Sequence, residues 1–186
     1  MPTKVYIDQG HNPKSPNAGA EGNGYREQDL VYEIGVRLYA LFESNPDYEA
    51  RLSRKTPEEI LGSSNAESLR IRVQEANAWG ADIFLSLHTN ASVDASASGC
   101  EGLVFSAGSG AYRLAERVTN SLARTTGLRN RGVLLRPGLY VLRRTAMPAM
   151  ISEMGFISNP SDAALMAGQP GLFARGIYNG VLEYEG

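Results

Sequence analysis

Short apolar runs of strand length alternate with longer segments of helical periodicity along this 186-residue sequence. The clearest apolar run is 82–88, whose composition is typical of a strand buried between helices. The clearest helical segment is 26–42. Its apolar side chains recur every three or four residues, at Leu30, Val31, Ile34, Leu38 and Leu41. This alternation predicts a single three-layer α/β domain, with a mostly parallel or mixed central sheet and helices on both faces.

Local signals mark the other elements. Further short strands are predicted at 5–8, 48–53, 102–106, 139–142 and 149–152. Further helices are predicted at 64–79, 111–126 and 171–184, with a shorter one that begins at 160. Ser64 and Glu67 form a capping-box pattern, in which a hydroxyl and a carboxylate satisfy free amides at a helix start. Gly80 suits the left-handed residue that ends a helix, and Asn159 ahead of Pro160 provides a cap and a proline at the first helical position.

Composition narrows the chemistry that the chain can carry. Its formal net charge of -2 lacks the excess of lysine and arginine that a nucleic-acid partner favours, so no nucleic acid is expected. No apolar run approaches the roughly 18 residues that a membrane span needs. Cys100 is the only cysteine, which excludes an internal disulfide and a thiolate-rich metal site. Any transition metal would therefore be held by histidine and carboxylate.

The amino end enters the first predicted strand directly after residue 4. A signal peptide would need a longer apolar stretch and a small-residue cleavage site, and neither is expected here. The chain is therefore interpreted either as a protein made without an export signal or as a piece of a longer exported protein.

Four groups capable of metal or proton chemistry fall at strand ends or at a helix start. Both histidines, His11 and His88, follow predicted strands; Glu153 follows the run 149–152, and Glu27 stands near the start of the first long helix. The carboxyl ends of strands in α/β sheets open into a crevice, so these side chains could converge. Each one alone also has a structural explanation, such as a hydrogen-bonded histidine or an acidic helix start. Spacing alone indicates no more than a candidate His/His/Glu metal site.

A set of this kind suits amide hydrolysis. Catalytic zinc takes three protein ligands and leaves a fourth position for water. The metal lowers the pKa of that water towards about 7. A further carboxylate can take the proton and pass it to the leaving amine. Two histidines and one glutamate as ligands, with a second glutamate as base, would complete the set.

Several blocks, in one order along nearly the whole chain, carry a family resemblance. They are Ile-Asp-Gln-Gly-His at 7–11, Glu27 with the helix after it, 72–77 with 86–91, and Glu-Met-Gly-Phe-Ile-Ser-Asn at 153–159. They resemble blocks of the zinc-dependent N-acetylmuramoyl-L-alanine amidases of type 3, found in bacterial cell separation, sporulation and phage lysis. The last block is the most specific.

Two positions depart from the family pattern. Gln9 replaces the usual proline, which should loosen the turn before His11 without removing the histidine. Cys100 stands where the family has a β-branched residue before a glutamate, and we interpret it as a small buried apolar residue rather than a nucleophile.

The resemblance implies a role for each of the four groups. His11, Glu27 and His88 would be ligands of Zn²⁺, and Glu153 would be the general base and acid. The implied reaction is hydrolysis of the amide between the lactyl group of N-acetylmuramic acid and L-alanine. Peptidoglycan would be the partner and the bacterial cell wall the place of action. Residues 1–186 are expected to form the zinc amidase catalytic domain.

Three further features are open to two interpretations or set an expectation. Asn90 is a candidate for substrate contact, although capping of the loop after its strand explains it equally well. Some members carry an inhibitory helix after the second histidine; here 89–100 is too short for one, so an open site is expected. Five arginines form either a solvated face or an attraction for stem-peptide carboxylates, namely Arg129, Arg131, Arg136, Arg143 and Arg144.

Two other functions stay open at this point. A zinc peptidase acting on wall or soluble peptides would use the same four residues. A wall-binding module without catalysis would keep the fold, but it would not need both the ligands and the base. The location is equally open, since a phage-type lysin and an excised domain of a secreted autolysin both fit.

Overall fold

A six-stranded sheet runs through the middle of the protein, and the computed structural model describes all 186 residues. The strands are β1 (Thr3–Gln9), β2 (Glu21–Gly22), β3 (Tyr25–Arg26), β4 (Tyr48–Leu52), β5 (Ile83–Asn90), β6 (Cys100–Val104), β7 (Asn130–Leu135) and β8 (Ala149–Phe156). The helices are α1 (Glu27–Glu43), α2 (Asn65–Trp79), α3 (Gly110–Thr126), α4 (Tyr140–Arg144), α5 (Pro160–Gly168) and α6 (Pro170–Glu185). β2 and β3 pair as a small hairpin within the loop after β1.

The order of strands in the sheet brings several strand ends to one edge. The order is β4-β1-β5-β8-β6-β7, and the first four strands are parallel. β6 is antiparallel to β8, and β7 is parallel to β6. The carboxyl ends of β1, β5 and β8 therefore meet the amino end of β6 at the same edge. This confirms the predicted mixed sheet.

Helices cover both faces of the sheet. On one face, α1, α3 and α6 pack over alternate strand residues such as Val5, Leu85 and Met150. On the other face, α2 and α4 pack over the intervening residues, such as Phe84 and Ile151. Because successive side chains of a strand point to opposite faces, the apolar runs supply both cores. The predicted three-layer α/β domain is confirmed. No helix combines the length and apolar character that a bilayer crossing requires.

The predicted helix ends are present, with one difference in detail. The Ser64 hydroxyl accepts a hydrogen bond from the Glu67 amide, and Gly80 ends α2 in the left-handed conformation. The Glu67 carboxylate bonds to Ser63, one residue earlier than a capping box would place it. Asn159 caps α5 by accepting from the first amides of that helix. These contacts define where α2 and α5 begin.

One strand prediction was wrong and one strand of the central sheet was missed. The apolar run 139–142 lies largely in the short helix α4, where Val141 and Leu142 are buried against the sheet. A run of so few apolar residues fits a strand or a buried helical turn equally well. The missed strand is β7, an edge strand that begins with the polar sequence Asn-Arg-Gly and is partly exposed.

Two glycines set the distance between α3 and α6. A Cβ atom at Gly180 would lie 2.4 Å from the Cα atom of Val118, and one at Gly176 would lie 2.9 Å from the Cα atom of Leu122. Both distances are shorter than van der Waals contact, and the opposing atoms are backbone. The helices can approach this closely only because these two positions carry no side chain.

We predict that Gly180→Ala destabilises the protein by about 1–3 kcal/mol, because the added methyl group overpacks the α3–α6 contact. In a helix without such a contact, alanine is more stable than glycine by about 1 kcal/mol. A loss of stability in Gly180→Ala would therefore indicate overpacking. Gly171→Ala in the same helix is the control, since its Cβ would meet nothing within 4 Å. Urea unfolding measures both variants, and equal stability of the two would contradict the packing explanation.

Candidate metal centre

Three side chains from three elements converge at the carboxyl edge of the parallel strands. His11 lies in the loop after β1, Glu27 is the first residue of α1, and His88 lies near the end of β5. Their metal-binding atoms, one from each side chain, lie within 4.8 Å of one another. The structure thus brings together the three residues that the resemblance implied as ligands, as a group that could bind a metal ion.

The carboxylate of Glu27 stands between the two imidazoles. Its Oε1 atom is 3.1 Å from His88 Nδ1, and its Oε2 atom is 3.2 Å from His11 Nε2. The same oxygens accept hydrogen bonds from the backbone amides of Thr89 and Ala20. Burial by itself would raise the pKa of Glu27, but the bonds to both histidines hold it well below its usual range. Glu27 is therefore ionised and held in place from four directions.

The two imidazoles are oriented for a shared ligand and reachable from solvent. Their ring centres are 4.8 Å apart, and about a fifth of each side chain is exposed. Burial alone would lower the pKa of His88. The hydrogen bond and the charge of Glu27 outweigh this effect, so the pKa of His88 is raised above its usual value. A Cβ atom at Gly10 would lie 2.6 Å from the His88 ring, so glycine leaves the room that this ring occupies. Two imidazole nitrogens and one carboxylate oxygen form a donor set that suits a transition metal.

A buried arginine fixes the loop that carries His11. Nη1 of Arg72 donates to the Gln9 carbonyl at 2.6 Å, and Nη2 donates to the His11 carbonyl at 2.6 Å. Nη1 also bonds to Asp8, which in turn accepts from the Ser86 hydroxyl on β5. His11 has a φ of 67°, a left-handed backbone conformation that residues other than glycine seldom adopt. The Arg72 contacts hold the backbone in that conformation.

Glu153 lies next to the three-residue group. The strand register places His88 opposite Glu153 on one side and Glu101 opposite it on the other. The Glu153 Oε2 atom is buried and has no hydrogen-bond partner. Burial is the main cause that raises the pKa of Glu153 to about 7; Glu27 and Glu101 add to the rise, and His88 opposes it. A carboxyl group in this environment exchanges a proton near neutral pH, as a general acid and base requires.

Another buried carboxylate, Glu101, was given no role from the sequence. It accepts from Asn90 Nδ2 at 2.9 Å and from Arg131 Nε at 3.0 Å. The Arg131 guanidinium lies 5.0 Å from the centre of the Phe156 ring. A charged residue inside an otherwise apolar strand was the signal that could have identified Glu101.

The structure gives the contacts of Asn90 and of Arg131, one of the five arginines. The Asn90 carbonyl oxygen accepts from the Ala91 amide at 2.9 Å, as loop capping requires, and its amide group bonds to Glu101. Contact of Asn90 with substrate stays a prediction. Of the five arginines singled out in the sequence, Arg131 is the one that pairs with a carboxylate. Cys100 is buried, as expected, and burial raises the pKa of its thiol to about 12.

The segment 91–99 between β5 and β6 contains no helix. It packs instead on the turn before α5, where the Ser92 amide donates to the Ser158 hydroxyl and the Asn159 side chain donates to the Ala95 carbonyl. The segment therefore contacts the turn before α5, and the His11 and His88 side chains keep about a fifth of their surface exposed.

Fold and site together define an α/β domain with a candidate metal centre at the carboxyl ends of parallel strands. A family model described as N-acetylmuramoyl-L-alanine amidase matches residues 5–183. The chain belongs to the N-acetylmuramoyl-L-alanine amidase family, and the resemblance found in the sequence is confirmed.

Individual relatives agree with this family. The chain is 31% identical over 161 residues to the sporulation-specific N-acetylmuramoyl-L-alanine amidase of Bacillus subtilis strain 168, with 86% of the chain covered. It is 32% identical over 186 residues to the N-acetylmuramoyl-L-alanine amidase LytC of the same strain, with 97% covered. The chain spans 58% and 35% of the lengths of these two proteins.

Solved structures of amidases share the whole fold. The N-acetylmuramoyl-L-alanine amidase from Clostridium difficile 630 aligns with a TM-score of 0.88 at 29% identity, covering 99% of this chain and 97% of the other. The catalytic domain of CwlV, an N-acetylmuramoyl-L-alanine amidase from Bacillus (Paenibacillus) polymyxa, aligns with a TM-score of 0.86 at 28% identity, covering 98% of each chain.

We predict that Arg72→Lys weakens Zn²⁺ binding by about 10–100-fold, because lysine cannot bond to the Gln9 and His11 carbonyls together. Competition with a chromophoric chelator measures the affinity. Arg54→Lys is the control: Arg54 is also almost fully buried, but it donates to the carbonyls of Gln28 and Pro57. Both variants should lose stability, and only Arg72→Lys should lose metal affinity. Unchanged affinity in a folded Arg72→Lys protein would contradict the positioning role.

A second prediction concerns pH and the metal-free protein. Because the pKa of Glu153 rises from 4.5 to about 7 on folding, the folded state holds this proton more tightly than the unfolded state. Its contribution therefore favours folding below about pH 4.5 and is lost as the pH rises to about 7. Glutamine does not titrate, so Glu153→Gln should remove this pH-dependent loss of stability. Its effect on the free energy of unfolding should be more favourable at pH 8 than at pH 4.5 by up to about 3 kcal/mol. Denaturant unfolding at both pH values tests it, and an equal effect at both would contradict the shift.

Proposed function

We propose that residues 1–186 are the catalytic domain of a zinc-dependent peptidoglycan amidase. The reaction is hydrolysis of the amide between the lactyl group of N-acetylmuramic acid and L-alanine of the stem peptide. The observation that carries the proposal is the convergence of His11, Glu27 and His88 beside Glu153 in a chain of the N-acetylmuramoyl-L-alanine amidase family. The named relatives support the choice of bond.

His11, Glu27 and His88 would hold Zn²⁺. Two imidazole nitrogens with one carboxylate oxygen match the ligand set of known zinc hydrolases, and the partly exposed imidazoles leave one side for water or substrate. When bound, zinc supplies a Lewis acid for the amide carbonyl and lowers the pKa of a bound water. Glu27 also contributes the negative charge that favours a cation between the two histidines.

Glu153 would carry the proton through the reaction. Its carboxylate takes a proton from the attacking water as the carbon–oxygen bond forms, and the resulting acid gives that proton to the alanine nitrogen as the carbon–nitrogen bond breaks. In the metal-free protein, burial raises the pKa of Glu153 to about 7, where the group can both accept and donate a proton. Glu101 assists by opposing permanent ionisation of Glu153.

The substrate and the place of action follow from the bond that the family membership favours. Peptidoglycan contains the bond, so we assign the activity to the bacterial cell wall. Endolysin of Bacillus phage SPP1, which is 30% identical over 170 residues, and the sporulation-specific amidase show by their names that relatives serve both phage and host. A zinc peptidase would use the same four residues, and the family membership favours the amidase.

The experiment is digestion of purified peptidoglycan, with new amino termini labelled and new reducing sugar ends counted. We expect amino-terminal L-alanine without reducing ends, and we expect a chelator to abolish its release. A different amino terminus would assign the protein to the peptidases. No release from zinc-loaded protein would leave a wall-binding module as the better explanation.

We predict that Glu153→Gln lowers kcat by about 10²–10⁴-fold, because glutamine cannot exchange the proton, while zinc content stays unchanged. Glu116→Gln, an exposed position on α3, is the matched control and should keep full activity. Near-normal turnover by Glu153→Gln would remove Glu153 from the mechanism.

A further inference from the structure

A small pocket borders the candidate metal centre. Its volume is about 150 Å³, and both imidazoles, His11 and His88, line it. The rest of its wall comes mainly from apolar side chains of α2, β8, α4 and the residue before α4: Leu69, Leu139, Tyr140, Val141 and Ile151. This volume is well below the roughly 300 Å³ at which pockets for whole small molecules begin. It can accept one small group of a larger ligand.

Three polar residues of the pocket wall, Asp8, Arg72 and Asn17, are already engaged with protein partners. Asp8 and Arg72 bond to each other, and the Asn17 side chain donates to the Ser68 hydroxyl. A polar substituent entering the pocket would therefore lose its hydrogen bonds to water and gain few in return. The group that fits is a small alkyl group.

We propose that this pocket receives a methyl group on a carbon bonded to the scissile amide. The inference rests on the proposed amidase function and names the part of the substrate that the site selects. The muramoyl–alanine linkage carries two such methyl groups. One is on the lactyl carbon next to the carbonyl, and the other is on the alanine carbon next to the nitrogen. Either carbon lies one bond from the amide group, and two of the three candidate metal ligands form part of the pocket wall.

Leu139 controls the size of the pocket. The residue is 37% exposed and lines the pocket, so it stands where the pocket meets solvent. The backbone around it is held by main-chain bonds, from the Leu139 amide to the Arg136 carbonyl and from the Arg143 amide to the Leu139 carbonyl. Truncation of the side chain would enlarge the pocket and leave these bonds intact. Leu139 is therefore a specificity-determining residue for this reaction.

The test compares wild type with Leu139→Ala on two series of soluble muramoyl peptides. One series replaces the lactyl methyl group by hydrogen or ethyl. The other replaces L-alanine by glycine or L-2-aminobutyrate. In one series we expect the wild-type kcat/KM to fall about tenfold for both replacements. Leu139→Ala should relieve the penalty for ethyl in that series alone, and the series that responds identifies which methyl group the pocket holds.

Leu135→Ala is the control, because Leu135 is also exposed, at 44%, and does not line the pocket. It should keep the wild-type preference in both series. The proposal is overturned if wild type cleaves the natural linkage without discrimination, or if Leu139→Ala discriminates as wild type does. Failure of wild type to cleave the natural linkage at all contradicts the proposed amidase function itself.

Discussion

One buried carboxylate, that of Glu27, joins the segments that form the candidate site. It bonds to His11 in the loop after β1, to His88 on β5, and to the backbone amides of Ala20 and Thr89. A buried charge is costly unless it is paired and hydrogen-bonded. The packing of α1 against the sheet therefore depends on the geometry of the metal-binding group, and that geometry depends on the packing.

Buried charged residues lie on both sides of this carboxylate, and the two glutamates of the site have pKa values shifted in opposite directions. On the β1 side, Arg72 and Asp8 hold the loop of His11 in its left-handed conformation. On the β6 side, burial raises the pKa of Glu153 and the charges of Glu27 and Glu101 add to the rise, while two imidazoles lower the pKa of Glu27. Opposite pKa shifts suit two different roles: an ionised carboxylate, such as Glu27, can bind a metal, and a carboxyl group that titrates near neutral pH, such as Glu153, can transfer a proton.

Much of this could be predicted from the sequence, because strand ends of α/β sheets collect functional side chains and the family blocks are local. The ligand candidates and Glu153 follow from those two facts. The role of Arg72 could not, since its partners lie more than sixty positions away and depend on the packing of α2 against β1. β7 was missed because a partly exposed edge strand carries polar residues, and α4 was predicted as a strand because a short apolar run has no clear period. Glu101 was missed because strand register decides its neighbours.

The central claim is that His11, Glu27 and His88 share one metal ion, and anomalous X-ray scattering from crystals grown with zinc tests it most directly. We predict one strong peak at the zinc edge, about 2.0–2.2 Å from a nitrogen of each histidine and from an oxygen of Glu27. A map without a peak at these residues, in crystals whose zinc content is confirmed, would contradict the claim.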